Sequence, residues 1–258
     1  MKITCLTENT SNDPNLSAEH GLSLFIETKG KNILFDMGQT DLFAQNARKM
    51  NIDLTKVDYA VLSHGHYDHG GGMGCFLKIN STAPIFINPY AFEPHFNKDG
   101  KYIGLDTAIE NNKRIIFTND SFCIEPGLTL FSCNGNEKKY NVQTTGMTVT
   151  RDGKKYDDDF RHEQYLLIEE EGKRVLISGC SHKGILDITE WFAPDVLVGG
   201  FHFSKLPLDE KLTSYAQTLD SFDTVYYTCH CTGTEQYSFM KPHINKLNYL
   251  SVGDTLCL

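Results

Sequence analysis

The chain has 258 residues, 40% of them apolar and 22% charged, the balance of an ordinary globular protein. Its formal charge of −9 argues against a non-specific nucleic-acid binder, which needs a basic face to displace counterions. No apolar run approaches the roughly 20 residues of a membrane span, and the start, MKITCLTENT, has too short an apolar core for a signal peptide. A cytoplasmic protein of one α/β domain over residues 1–258 is expected.

Strand-like runs follow one another at 2–8, 21–28, 32–36, 58–63, 84–88, 114–118, 128–132, 164–170, 174–179, 195–200 and 224–228. Helical spacing fills 41–50, 184–192, 208–220 and 234–247, with Pro242 expected to break the last. The early runs read as antiparallel hairpins. The later ones alternate with helices and read as buried, partly parallel strands. Residues 134–161 are polar and poor in aliphatic side chains, which predicts a long surface excursion with a short hairpin, the usual form of a lid or substrate loop.

One internal echo stands out. LFIETKGKNILFD (24–36) aligns without a gap to LLIEEEGKRVLIS (166–178), and a loop and a helix follow each. Either two hairpins merely look alike, or the chain holds a duplicated half, with two sheets face to face and helices outside. In the second arrangement the ends of equivalent strands converge at one edge. The eight cysteines lack the dense spacing of a secreted disulfide scaffold, so reduced thiols are expected.

The stretch VLSHGHYDHGGG (61–72) concentrates chemistry at a strand end. Imidazole nitrogens and a carboxylate oxygen at this spacing suit zinc, manganese or iron. On an extended turn His64 and His66 point the same way, while Asp68 and His69 face a second position. Further donors follow later strands: Cys180 and His182 in GCSHKG, His202 in GGFHF and His230 in CHCTG, with His162 ahead of a strand in FRHEQ. Singly, each is as well read as a hydrogen-bonded histidine or a small buried thiol. Together they suggest one shared site.

On these residues the chain resembles the metallo-β-lactamase superfamily along nearly its whole length. SHGHYDH (63–69) is similar to its signature, and LFDMG (34–38) to its earlier motif. The resemblance implies an αββα four-layer sandwich of two mixed sheets with outer helices. It implies one or two divalent metal ions, zinc first, held by His64, His66, Asp68, His69, Cys180, His182 and His230, with Asp36 orienting the ligands from behind. Cys180 stands where many members carry a bridging aspartate, so a bridging carboxylate is in doubt here. His162, eighteen residues earlier, is placed like the superfamily's third-motif histidine and competes with His182. We assign His182 as the ligand and His162 to the pocket.

Within the superfamily, TENT, ILFDMGQT, GCSHKGI, GGFHF and CHCTG are together similar to the 7,8-dihydropterin-6-methyl-4-(β-D-ribofuranosyl)-aminobenzene-5′-phosphate synthase-like subgroup. That likeness implies that Asn9, Glu19, His20 and His202 line a pocket. A capped loop before strand 21–28 explains the first three equally well. The implied activity is a metal-dependent hydrolase of a small-molecule ester or phosphoester, in which Asp68 or His202 moves the proton. The alternative is a transferase of the synthase type, with metals as Lewis acids on a phosphorylated substrate. Neither reading requires nucleic acid or a membrane. A flavo-di-iron role would need a flavin domain.

Overall fold

In a computed structural model that describes residues 1–142 and 144–258, every one of the eleven expected strands forms, with ends within two residues of those expected. In chain order the strands are β1 (Lys2–Thr7), β2 (Ser23–Thr28), β3 (Lys31–Phe35), β4 (Tyr59–Val61), β5 (Ile85–Ile87), β6 (His95–Phe96), β7 (Ile115–Phe117), β8 (Ser121–Glu125) and β9 (Leu128–Phe131). There follow β10 (Thr148–Arg151), β11 (Lys154–Asp157), β12 (Tyr165–Glu170), β13 (Lys173–Ile177), β14 (Val196–Gly199), β15 (Val225–Thr228), β16 (Leu247–Tyr249) and β17 (Thr255–Cys257). The helices are α1 (Leu42–Lys49), α2 (Tyr67–Gly70), α3 (Met73–Ile79), α4 (Ile185–Phe192), α5 (Glu210–Asp220) and α6 (Thr234–Met240). The last helix stops just ahead of Pro242, whose ring cannot continue it.

The chain forms two compact units. The first contains 1–119, 145–164 and 251–258; the second contains 120–144 and 165–250. In the first unit a seven-stranded sheet runs β17-β1-β2-β3-β4-β5-β7, and a small sheet runs β11-β10-β6. In the second, a seven-stranded sheet runs β16-β15-β14-β13-β12-β9-β8. No helix among the described residues is long and apolar enough to cross a membrane.

The internal echo is a real structural repeat. In the first unit β17-β1-β2-β3 pair antiparallel and β3-β4-β5-β7 pair parallel. In the second, β8-β9-β12-β13 are antiparallel and β13-β14-β15-β16 parallel. The echoed hairpins, β2–β3 and β12–β13, hold the same place in the two sheets. Each closes with a two-residue loop, Lys29-Gly30 and Glu171-Gly172, and all four residues have positive φ. That is the type I′ turn, whose twist matches the strands and whose second position favours glycine.

Each unit has its own core. In the first, Phe43 and Ala47 of α1 and Phe76 of α3 pack on Leu34, Ala60 and Ile85. In the second, Ile188 of α4 and Leu212 and Ala216 of α5 pack on Leu176, Leu197 and Tyr226. Each fully buried large apolar side chain contributes about 1.5–3 kcal/mol. The alternate strand residues Ile33, Phe35, Ile177 and Val198 are buried as well. Strands buried on both sides carry near-continuous apolar runs, which is why these segments show no polar alternation.

Strands β6, β8, β16 and β17 lie outside the expected runs, and three local details also differ from the expectations. The histidine stretch is not an extended turn throughout: His66 is extended (φ −102°, ψ 147°), and residues 67–70 then form a helical turn. Helix α3 went unnoticed, being short and entered from glycines. The polar 134–161 segment is mostly exposed and carries the hairpin β10–β11, but Val149, Asp158 and Phe160 within it are buried. Gln143, in the same segment, lies outside the described residues.

Candidate metal centre

In the first unit, β3 and β4 run parallel and deliver Asp36 and the 63–69 segment side by side. Asp36 has positive φ (59°), a left-handed backbone that costs a non-glycine residue energy and turns its side chain at the strand end. The fully buried Asp36 carboxylate accepts the backbone N–H of Ser63 (2.7 Å), the Ser63 hydroxyl (2.7 Å) and Nδ1–H of His69 (2.6 Å). The Ser63 hydroxyl has one proton and gives it to Asp36. Its oxygen therefore accepts from Nδ1–H of His64, 2.8 Å away. One carboxylate thus sets the tautomer of two histidines, and both carry their lone pair on Nε2, the form that a metal ion requires.

The rings of His64, His66 and His69 cluster, with centroids 4.6 Å apart for His64–His66 and 4.1 Å for His64–His69. Burial, and then the neighbouring imidazole of His162, push His66 well below the usual histidine range, so it is a neutral donor. Burial works against protonation of His69, but Asp36 and Asp68 outweigh it and raise its pKa. Asp68 faces the exposed His20, Oδ2 to Nε2 3.2 Å. Asn9 approaches Nδ1 of His20 (3.4 Å), so these N-terminal residues gather beside the histidine stretch. Glu19 is a loop clamp: it accepts the N–H groups of Gln39 and Thr40 at 3.0 and 3.1 Å and the Thr40 hydroxyl at 2.6 Å.

His162 lies behind this cluster in the same unit. Its Nδ1 accepts the N–H of Gly65 at 2.9 Å, and its ring centroid is 5.3 Å from that of His66. His95 and Asp158 complete the group: His95 Nδ1 lies 2.7 Å from Asp158 Oδ2, and the His95 and His162 centroids are 4.0 Å apart. One donor atom from each of His66, His95, Asp158 and His162 lies within 4.8 Å of the others, and all four residues are buried. The sequence reading missed His95 and Asp158. Gly65 between the two motif histidines has no room for a side chain: a Cβ there would sit 2.1 Å from the carbonyl oxygen of Ala91.

In the second unit, the expected donors emerge where β13, β14 and β15 end. Ser181, His202 and His230 all have positive φ (56°, 57° and 50°). Cys180 and His230 come together, joined by Cys231, with donor atoms within 4.8 Å of one another. The Cys231 thiol points to the carbonyl oxygen of Cys180 (3.6 Å). His182 pairs with His202 instead, ring centroids 4.4 Å apart. Cys231 was read only as a neighbour of His230, and CHC is the signal that would have exposed it.

The chain is similar to known proteins. Residues 17–222 match the sequence profile of the Metallo-beta-lactamase superfamily. The chain is 30% identical to the 7,8-dihydropterin-6-methyl-4-(beta-D-ribofuranosyl)-aminobenzene-5'-phosphate synthase of Methanocaldococcus jannaschii, over 90% of this chain and 88% of that one. It is 27% identical to an uncharacterized protein of the same organism, over 95% and 98% of the two chains. Among solved structures it is similar to Tm1679, a metal-dependent hydrolase of the beta-lactamase superfamily, with 28% identity, a TM-score of 0.84 and coverage of 100% and 99%.

Proposed function

Because the chain belongs to the metallo-β-lactamase superfamily, we propose that it is a metal-dependent hydrolase of a small-molecule ester or phosphoester. The observation that carries this reading is the Asp36 carboxylate, which directly at His69 and through Ser63 at His64 leaves both rings with Nε2 lone pairs. A buried structural histidine has no need of that bias. His64, His66, Asp68 and His69 of the first unit, and Cys180, His182 and His230 of the second, are the residues that would hold one or two divalent ions, zinc by ligand type and manganese or iron by availability. When bound, such an ion supplies Lewis acidity and lowers the pKa of water to about 7.

The chain's own residues do the rest. Asp68, beside the histidines and buried apart from a small exposed part of its side chain, takes up the proton released by the attacking water. His202 meets the substrate's oxygen. Asn9 and His20, which contact each other beside Asp68, are assigned to the pocket wall. His162 supports the metal loop through Gly65.

The test is elemental analysis of protein purified without added metal, followed by assays on esters, lactones and phosphoesters. At least one bound ion and turnover that chelation abolishes are expected. Metal-free protein, or hydrolysis that survives chelation, overturns the reading. The similarity to the dihydropterin synthase favours a second reading, transfer onto a phosphorylated substrate at the same metals. Conversion of pterin and phosphorylated substrates without any ester hydrolysis selects it.

A further inference from the structure

Residues 137–141 are strapped to α4. The buried Asp187 carboxylate accepts three successive backbone N–H groups, from Lys139 (2.6 Å), Tyr140 (2.9 Å) and Asn141 (3.1 Å). Trp191 Nε1 donates to the carbonyl oxygen of Glu137 (2.9 Å), and Lys139 Nζ and the Tyr140 hydroxyl both reach Glu190. Five polar residues that would otherwise wander are thereby tied down, three positions ahead of Thr144.

Thr144 touches two histidines. Its N–H donates to the carbonyl oxygen of His182 (2.9 Å), and its Oγ1 lies 3.1 Å from Nδ1 of His182 and 2.9 Å from Nδ1 of His202. Among the described residues Oγ1 has no third partner, so its single proton has only these two nitrogens to serve. The pairing that uses both the proton and a lone pair makes one ring donate to Oγ1 and the other accept from it. The two histidines are therefore unlike tautomers. The left-handed backbone of His202 (φ 57°) is a second sign that its ring is held at a cost.

We propose that Thr144 is a positioning residue that turns His202 into a hydrogen-bond donor for the substrate's carbonyl or phosphoryl oxygen. The assignment rests on the reading above, in which His182 gives Nε2 to the metal. Its Nδ1 then keeps the proton and donates to Oγ1. The hydroxyl proton goes to Nδ1 of His202, which places the His202 proton on Nε2. His202 is in consequence a neutral Nε2–H donor, neither a base nor a ligand, and it stabilises negative charge developing on the substrate.

The experiment compares zinc-loaded full-length wild type with Thr144→Val and Thr144→Ser by ¹⁵N imidazole NMR and by turnover. Wild type should show His202 as the Nε2–H tautomer. Thr144→Val, which keeps the shape and loses the hydroxyl, should mix the His202 tautomers and lower turnover by roughly 10- to 100-fold when both proteins are assayed saturated with zinc. Thr144→Ser should restore both. A wild-type His202 with its proton on Nδ1, or a Thr144→Val protein with wild-type spectra, overturns the proposal. Chelated protein separates this inference from the reading beneath it. Unlike tautomers there uphold the role of Thr144 even if no metal is needed, and like tautomers overturn it.

Discussion

Nδ1 of His69 lies 2.6 Å from Oδ2 of Asp36, and neither side chain has any exposed surface. The same carboxylate also accepts two bonds from Ser63, so three donors converge on it. Asp36→Asn replaces one acceptor oxygen with a donor facing other donors. We expect a loss of about 1–3 kcal/mol in stability and roughly 10- to 100-fold weaker metal binding. Denaturant unfolding and metal titration measure the two. Wild-type metal affinity would remove Asp36 from its ligand-orienting role.

His66 sits among three other buried histidines and is a neutral donor. His66→Ala should strip at least one metal ion and abolish turnover while leaving circular dichroism near that of wild type. Metal and activity that both survive the substitution refute the ligand assignment.

Cys180 shares its cluster with His230 and Cys231. Cys180→Ser exchanges a soft thiolate for a hydroxyl that ligates zinc poorly. Metal occupancy by elemental analysis should fall. Unchanged occupancy means that the thiol only packs.

Burial opposes charge on Asp158, yet the facing His162 and His95 outweigh it and hold the carboxyl far below the usual range. A carboxylate depressed in the folded state adds stability at every pH above its unfolded pKa, near 4, and loses it as pH falls further. Wild type should therefore be more stable than Asp158→Asn at neutral pH, with the margin shrinking below about pH 4. Unfolding curves across pH test this, and a margin that grows in acid contradicts it.

Gly65→Ala forces a methyl group onto the backbone of Ala91. The 64–66 turn must shift, at a cost of about 1–3 kcal/mol, and the Gly65–His162 bond should loosen with it. Lower stability together with weaker metal retention is expected. A variant that matches wild type in both shows that the turn is free to move.

The features legible in the sequence are those written in one continuous stretch. The histidine string lies within six residues, and the two hairpins repeat a thirteen-residue pattern with glycine at the turn. What stayed hidden depends on partners far apart in the chain. His95 and Asp158 are 63 positions apart, one in a two-residue strand and the other just past β11, so nothing local marks them as a buried pair. Thr144 is one of two adjacent threonines in a segment whose composition signals solvent, and its importance comes from Asp187 more than forty residues later. Glu19 carries a sequence signal that fits a pocket residue, but its carboxylate is occupied by Gln39 and Thr40. Motif spacing reports which residues are near one another; it does not report which hydrogen bonds they have already made.

The interleaving of the two units has a bearing on synthesis. The first unit is begun first but takes in residues 145–164, with His162 and Asp158, and the final strand β17, which pairs with β1. The second unit, bounded by 120 and 250, has all its segments before that strand emerges from the ribosome. The half that starts later is therefore the one that can be finished earlier. Until the last residues arrive, the nascent chain carries an open edge at β1 that must be kept from pairing with a neighbour.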